Sequence, residues 1–184
     1  MAETPQFAVL KKDQKMELRQ YPGYLQAEVD VAAQDYKSAV ERGFDILAGY
    51  IFGSNTSRQK IEMTTPVQVS QPEKIAMTTP VTVRGSGTYT VAFIMPSKYT
   101  LETLPIPRNT EIRFSVVPPH QAAVIRFSGY FQGERIERHK ELLGQWIAQQ
   151  GLTADGDFTI AGYDPPWVPW FLARNEVMVR VAGD

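Results

Sequence analysis

Cysteine is absent from this chain of 184 residues, and histidine occurs only twice. Without thiols there is no disulfide scaffold, no thiol nucleophile, no iron–sulfur ligation and no cysteine-based zinc site. Net charge of either sign is nearly absent too: 19 basic residues face 20 acidic ones, for a formal charge of −1. No run of Lys or Arg exceeds the pair Lys11-Lys12, a poor footprint for nucleic acid. Long apolar runs are missing, and the opening MAETPQFAVLKKDQK lacks the hydrophobic core of a signal peptide. These absences are read as a soluble, cytoplasmic domain without a membrane span and without a nucleic-acid partner. A chain of this length buries roughly 70% of its unfolded surface, so it needs no covalent staple.

Proline is present in number, with 13 residues placed where strands must stop. Residues 1–15 read as a flexible N-terminal lead, and 16–184 as a single domain with halves at 16–107 and 108–184. Met16–Gln20 and Tyr24–Val31 are short strand candidates around the turn signal Tyr21-Pro22-Gly23. Gln34–Phe52 changes period: Val40, Phe44, Leu47 and Ile51 fall on one helical face. Tyr89–Met95 is a strongly apolar strand, and Ser97–Pro107 a connection. The pattern then returns. Glu111–Val117 and Gln121–Phe127 read as strands around Pro118-Pro119, and Gly133–Gln149 as a helix with Ile136, Lys140, Leu143 and Ile147 in one stripe. Phe158–Tyr163 and Glu176–Val181 are the closing strands. The fold class is α+β, a pseudo-twofold repeat of β-β-α-β-β halves whose sheets join under two helices. A cleft is expected at the junction.

One octapeptide is written almost twice, KIEMTTPV from Lys60 and KIAMTTPV from Lys74. Threonine and isoleucine suit a pleated strand, and each proline ends the pairing. Two short, similarly terminated strands are expected, presenting Met63 and Met77 from equivalent positions. Methionine pairs line adaptable apolar pockets, and they also fill core gaps.

The doubled KIxMTTPV, then FIMPSKYTLETLP, AAVIRFSGYF and AGYDPPWVPWFLARNEVMV, resemble the SOUL haem-binding protein family in order and spacing. SAVERGFDILAGYIFGSN is similar to that family's first helix, and the likeness runs from Met16 to Val181. The resemblance implies a distorted antiparallel barrel-like sheet flanked by two helices, with haem or another tetrapyrrole bound beside the first helix. It also implies kinship with bacterial effector-binding domains, and it brings no established catalytic activity. No nucleophile-elbow, zincin, phosphate-loop or dinucleotide signature occurs either, so a non-catalytic binding protein is expected.

A mainly hydrophobic cleft for the macrocycle would draw on Val40, Phe44, Leu47, Met63, Met77, Trp167, Trp170 and Phe171. The aromatic residues of GYDPPWVPWF either line that cleft or cap the core. Arg42, Arg58, Lys60 and Arg174 are the candidates to pair with propionates. Some SOUL proteins carry a histidine where this chain has Gln20, a poor iron ligand. Of the two histidines, His120 reads as an exposed turn residue and His139 as a helix-border residue, a weak metal candidate. A rival reading is an effector-binding module for amphipathic or cationic small molecules, with Glu176 as the buried acid that neutralises a cation. A third is a partner-binding helix, which an exposed Trp146 would favour.

Overall fold

The computed structural model describes residues 3–58, 72–130, 132–164 and 168–182. Among them the chain forms β1 (Ala8–Asp13), β2 (Met16–Tyr21), β3 (Tyr24–Ala32), α1 (Tyr36–Ile51), β4 (Asn55–Thr56), β5 (Val81–Ser86) and β6 (Thr88–Ile94). The second passage gives β7 (Ile106–Pro107), β8 (Arg113–Val117), β9 (His120–Ser128), α2 (Gly133–Gln149), β10 (Thr153–Ala154), β11 (Thr159–Gly162) and β12 (Arg174–Ala182). No helix among the described residues is long and apolar enough to cross a membrane.

One antiparallel sheet runs β1-β2-β9-β12-β11-β5-β6-β3-β8, with β10 on the side of β12, while β4 and β7 pair separately. Set β1 aside and the path reads alike from either end. β2 lies on β9 as β8 lies on β3, β9 lies on β12 as β3 lies on β6, and β11 meets β5 at the centre. That is the pseudo-twofold α+β plan, with the first strand of each repeat placed beside the other repeat. The sheet is open rather than barrel-like, since β1 and β8 stand at its two ends.

Both helices cover the same face. α1 sits over β3, β6 and β5, and α2 over β9, β12 and β10. Alternation in β12 sends Val177, Val179 and Val181 into this shared core with Ile125, Phe127, Leu143 and Ile147. Full burial of each such aliphatic side chain contributes about 1.5–3 kcal/mol. Asp35 caps α1, its carboxylate accepting from the Ser38 N–H at 2.8 Å. The buried stripe of α1 is Tyr36, Ala39, Gly43, Leu47, Ala48, Tyr50 and Ile51, with Val40 and Phe44 half-buried at its border. The apolar stripe expected from spacing is thus rotated. Small residues face the sheet because the helix lies close: a Cβ on Gly43 would stand 2.5 Å from the Cβ of Val91.

Three local expectations change. Ala8–Asp13, assigned to the lead, forms β1 and pairs with β2, although all six side chains are exposed. The second octapeptide is no strand. Residues 74–77 lack regular structure, Thr78 makes an isolated bridge to Glu3, and pairing resumes only at Val81, after Pro80. Ile75 is instead tied by its N–H to the Ile51 carbonyl at the end of α1. Trp146 is buried, its indole N–H directed at Asp13 at 3.3 Å, which removes the partner-helix reading.

Candidate functional site

The face of the sheet away from the helices is where the chemistry collects. In β2, alternation places Glu17, Arg19 and Tyr21 on that face, and in β12 it places Glu176 and Met178 there. Arg19 is fully buried and donates from both terminal nitrogens to the Glu176 carboxylate, at 2.9 Å each, and from Nε to Glu17 at 2.8 Å. Such a bidentate pair is among the stronger polar contacts a protein makes. Tyr163 donates its hydroxyl to Glu176 at 2.7 Å, and Arg174 adds a second guanidinium at 2.9 Å. Arg126 reaches Glu17 at 3.1 Å, and its Nε stands 3.4 Å from Glu176 without a hydrogen bond. Phe7 closes the cluster from the N-terminal side, with the Arg19 guanidinium 4.1 Å over its ring.

Burial alone would raise the Glu176 pKa, but the hydrogen bonds and charge of Arg19, with Arg174 and Tyr163, hold it below the ordinary carboxylate value. Tyr163 is pushed up by burial and then by the Glu176 charge. Tyr21 is pushed up to about 12, chiefly by burial.

At one end of this cluster stands an exposed aromatic surface. Gly129 turns the chain out of β9 at φ 124°, a region that favours glycine. Tyr130, just beyond that turn, is 61% exposed. On the β11–β12 connection, Trp170 is 47%, Phe171 59% and Leu172 64% exposed. The Tyr130 and Trp170 rings lie 6.1 Å apart, and Trp170 meets Phe171 edge-on at 5.7 Å. Backbone bonds from Leu172 and Ala173 to the Pro169 carbonyl shape this loop. The buried Asn175 amide donates to the Gly129 carbonyl at 2.7 Å and ties the two segments together. Four large apolar side chains thus stand exposed on two segments that are tied together.

A cavity of about 440 Å³ opens on the same side of the sheet, lined by Tyr24, Gln26, Arg84, His120, Met178 and Arg180 among others. His120 is thus half-buried at the start of β9 rather than an exposed turn residue, because it stacks on Tyr21 at 5.4 Å. Its pKa is lowered by burial and, further, by Arg180.

The residues expected at the site divide. Val40, Phe44, Leu47 and Met77 share the main apolar core, where Leu47 is fully buried and lines no surface. Phe44 packs edge-on against Phe93 at 5.4 Å. Trp170 and Phe171 stand outside that core, on the exposed surface with Tyr130. Met63, Lys60 and Trp167 lie outside the described residues. Arg42 donates to the Ala32 carbonyl and Arg58 to the Leu101 carbonyl, so each is bound to backbone. Arg174 and Glu176 bond each other. His139 stacks on Phe127 at 4.4 Å and donates from Nδ1 to the Arg135 carbonyl at 2.7 Å. Gln20 donates to the Tyr21 and His120 carbonyls. The sequence reading missed Arg19, Arg126 and Tyr130. Alternation puts Arg19 on one strand face with Glu17 and Tyr21, but nothing local marks that face as buried.

An open antiparallel sheet with two helices on one face defines the class of fold. The C-terminal domain of EcmrR superposes with a TM-score of 0.65 at 14% identity, over 92% of this chain and 98% of that one. A hydrolase from Listeria innocua gives 0.60 at 12% identity, over 94% of each chain. Likenesses at such identity concern the fold alone. The family model described as SOUL heme-binding protein matches residues 2–180, and the chain belongs to that family. Its relatives include heme-binding protein 2 of Mus musculus, 25% identical over 172 residues (89% of this chain and 80% of the relative). Heme-binding protein 2 of Homo sapiens is 27% identical over 167 residues, 88% of this chain and 75% of the relative.

Proposed function

We propose that this chain is a non-catalytic binding protein for haem or a related tetrapyrrole, which it holds mainly by apolar contact. The observation that carries the reading is the exposed surface of Tyr130, Trp170, Phe171 and Leu172. A flat, largely apolar macrocycle matches it, because each aromatic side chain buries much area at little rotamer entropy. Family membership and the names of the relatives support the same ligand class.

The donor set fits the macrocycle better than it fits the iron. Gln20 spends its amide on backbone carbonyls, and among the described residues no ring contact joins His139 to the aromatic surface. A cationic ligand on Glu176 finds a carboxylate already held by Arg19, Arg174 and Tyr163.

The test is a titration of the protein with hemin and with iron-free protoporphyrin, followed in the Soret band. Saturable binding of both, weakened at least about ten-fold in Trp170→Ala and unchanged in His139→Ala, is expected; one lost stacking contact accounts for that factor. Binding confined to hemin and dependent on His139 would replace apolar contact by axial ligation. Non-saturable uptake in every variant would end the proposal.

A further inference from the structure

The cavity of about 440 Å³ on the helix-free face has a floor and a wall of different make. Its floor lies where the two repeats meet, on β5, β6 and β11. Thr82 pairs with Ala92 across β5 and β6, and Thr159 of β11 stands opposite Arg84. Side chains that short leave a hollow, and longer ones rise around it: Tyr24 and Gln26 from β3, Arg84 from β5, Met178 and Arg180 from β12. The volume falls in the range of roughly 300–1,000 Å³ usual for small-molecule sites. Neither Tyr130 nor Trp170 lines this cavity, and its polar wall does not suit a macrocycle held by apolar contact.

The wall carries polar groups that the protein leaves unused. Gln26 is only 6% exposed and gives its amide N–H to Glu28 at 2.8 Å, but its carbonyl oxygen has no partner among the described residues. The Tyr24 hydroxyl has none there either. Burial raises the Tyr24 pKa while the charges of Arg180 and Arg84 pull against it, so both guanidiniums act on that one ring. Arg180 makes no side-chain hydrogen bond or ion pair among the described residues. Arg84 makes one ion contact, with Glu28 at 3.8 Å, and Glu28 is already bonded by Arg113 at 2.8 Å. His120 adds no charge at neutral pH, since burial and Arg180 lower its pKa from 6.5.

The opposite sign stands at the mouth. The link from β10 to β11 carries Asp155 and Asp157, both exposed and both lining the cavity. The Asp155 N–H donates to the Arg180 carbonyl at 2.8 Å, which holds this link beside β12. Yet neither aspartate forms an ion pair with Arg180 or Arg84. A compact anion would settle against two carboxylates, and a compact cation against two guanidiniums. One molecule that carries both charges offsets both poles, and each contact is then a charge-assisted hydrogen bond.

We infer that this cavity is a second ligand site, for a compact zwitterion of free-amino-acid size. Arg84, Arg180 and the Tyr24 hydroxyl receive its carboxylate, and Asp155 and Asp157 its ammonium. The Gln26 carbonyl offers the ammonium a neutral acceptor. The site is separate from the tetrapyrrole surface, and the two readings stand or fall independently.

The experiment is titration calorimetry of the full chain with each common L-amino acid. The tightest binder is then compared with its N-acetyl derivative, which lacks the positive charge, and its primary amide, which lacks the negative one. At least one amino acid is expected to bind saturably, and each derivative at least about ten-fold more weakly, the factor one charge-assisted bond supplies. The preference for acid over amide should shrink in Arg180→Gln. The preference for free over acetylated amine should shrink when Asp155→Asn and Asp157→Asn are combined. These side chains are exposed, so the variants should unfold at the native temperature. Trp170→Ala should leave amino-acid binding intact. Absence of saturable binding by every L-amino acid overturns the inference, as does a derivative that binds as tightly as its parent. Loss of amino-acid binding in Trp170→Ala would overturn it too, by moving the ligand out of this cavity.

Discussion

The half of the sheet built on β3 and the half built on β9 follow one plan, yet they place their charges and their helix glycines differently. On the β3 side, Arg113 of β8 bonds Glu28 at 2.8 Å and Asp30 at 2.8 and 2.9 Å, and both Arg113 and Asp30 are nearly half exposed. On the β9 side, Arg19 of β2 and Glu176 of β12 are fully buried. Topology accounts for the contrast. β8 is the outermost strand of its side, whereas β2 is covered along its edge by β1 and across its face by Phe7. One extra strand converts a surface ion pair into an interior one. The glycines of the two helices differ in place: Gly43 of α1 faces β6, where an added Cβ would overlap Val91, while Gly144 of α2 lies off that helix's buried stripe, with nothing within 4 Å of an added Cβ.

The largest expected effect comes from breaking the buried side. Glu176→Gln leaves Arg19 buried with half its charge uncompensated, and a loss of about 3–5 kcal/mol is expected in urea unfolding. Replacing Arg19 and Glu176 together by apolar residues of similar volume should restore much of that loss, since burying the pair carries its own desolvation penalty. A double replacement as unstable as the single one would mean that Tyr163 and Glu17 depend on the pair for their own positions.

Helix packing comes next. Gly43→Ala puts a methyl group into Val91 on β6, and overpacking of that kind costs about 1–3 kcal/mol. Gly144→Ala meets open space and exchanges a poor helix former for the best one, a gain of at most about 1 kcal/mol. Thermal unfolding of the two variants should therefore shift in opposite directions. Equal shifts would mean that Val91 gives way to a methyl group on Gly43 as freely as solvent does to one on Gly144.

Acid and alkali probe the same contrast. Burial raises the carboxyls of Glu176 and Glu17, but their arginine partners bring both pKa values below the ordinary one. A lowered carboxylate pKa gives stability that is complete above the unfolded value of 4.5 and is lost as pH falls through the folded one. Unfolding free energy should thus decline below pH 4.5, and less steeply in Glu176→Gln. Tyr21 behaves inversely. Its pKa is raised from 10.0 to about 12, so its contribution is intact below pH 10 and is lost as pH rises toward 12. Phenolate absorbance at 295 nm in the native protein and in Tyr21→Phe would test this, the variant lacking one late-titrating group.

What was legible in the residues was the part with a period. β3, β6, β9 and β12 announce themselves by apolar or alternating runs, and α2 by Ile136, Leu143 and Ile147, all buried. In α1 the spacing of large residues favoured Val40 and Phe44, but the sheet-facing positions are Ala39 and Gly43, whose smallness is the packing signal. β1 was illegible because AVLKKD buries no side chain and is held by ladder bonds to β2. Of the candidate site, the aromatic loop around Trp170 was readable locally. Arg19 was not, since in MELRQY it looks like any outward-facing arginine. Its partner Glu176 lies 157 residues away, and only the joining of β2, β9 and β12 brings them together.

The smallest effect belongs to the exposed network and sharpens the contrast most. Asp30 accepts from both terminal nitrogens of Arg113 and from the Thr90 hydroxyl at 2.7 Å. The geometry is as good as that of Arg19 on Glu176, so bond count alone would give the two carboxylates similar weight. Solvent decides otherwise. Asp30 is 47% exposed and Arg113 45%, so water screens their attraction and replaces either partner when it is removed. Asp30→Asn is expected to lose at most about 1 kcal/mol, and that loss should fade between 50 mM and 1 M salt as the screening length shortens. The Glu176→Gln deficit should persist over the same range, because ions do not enter the buried cluster. If Asp30→Asn proved as damaging as Glu176→Gln and equally indifferent to salt, hydrogen-bond geometry rather than depth in the sheet would be what separates structural from surface ion pairs in this fold.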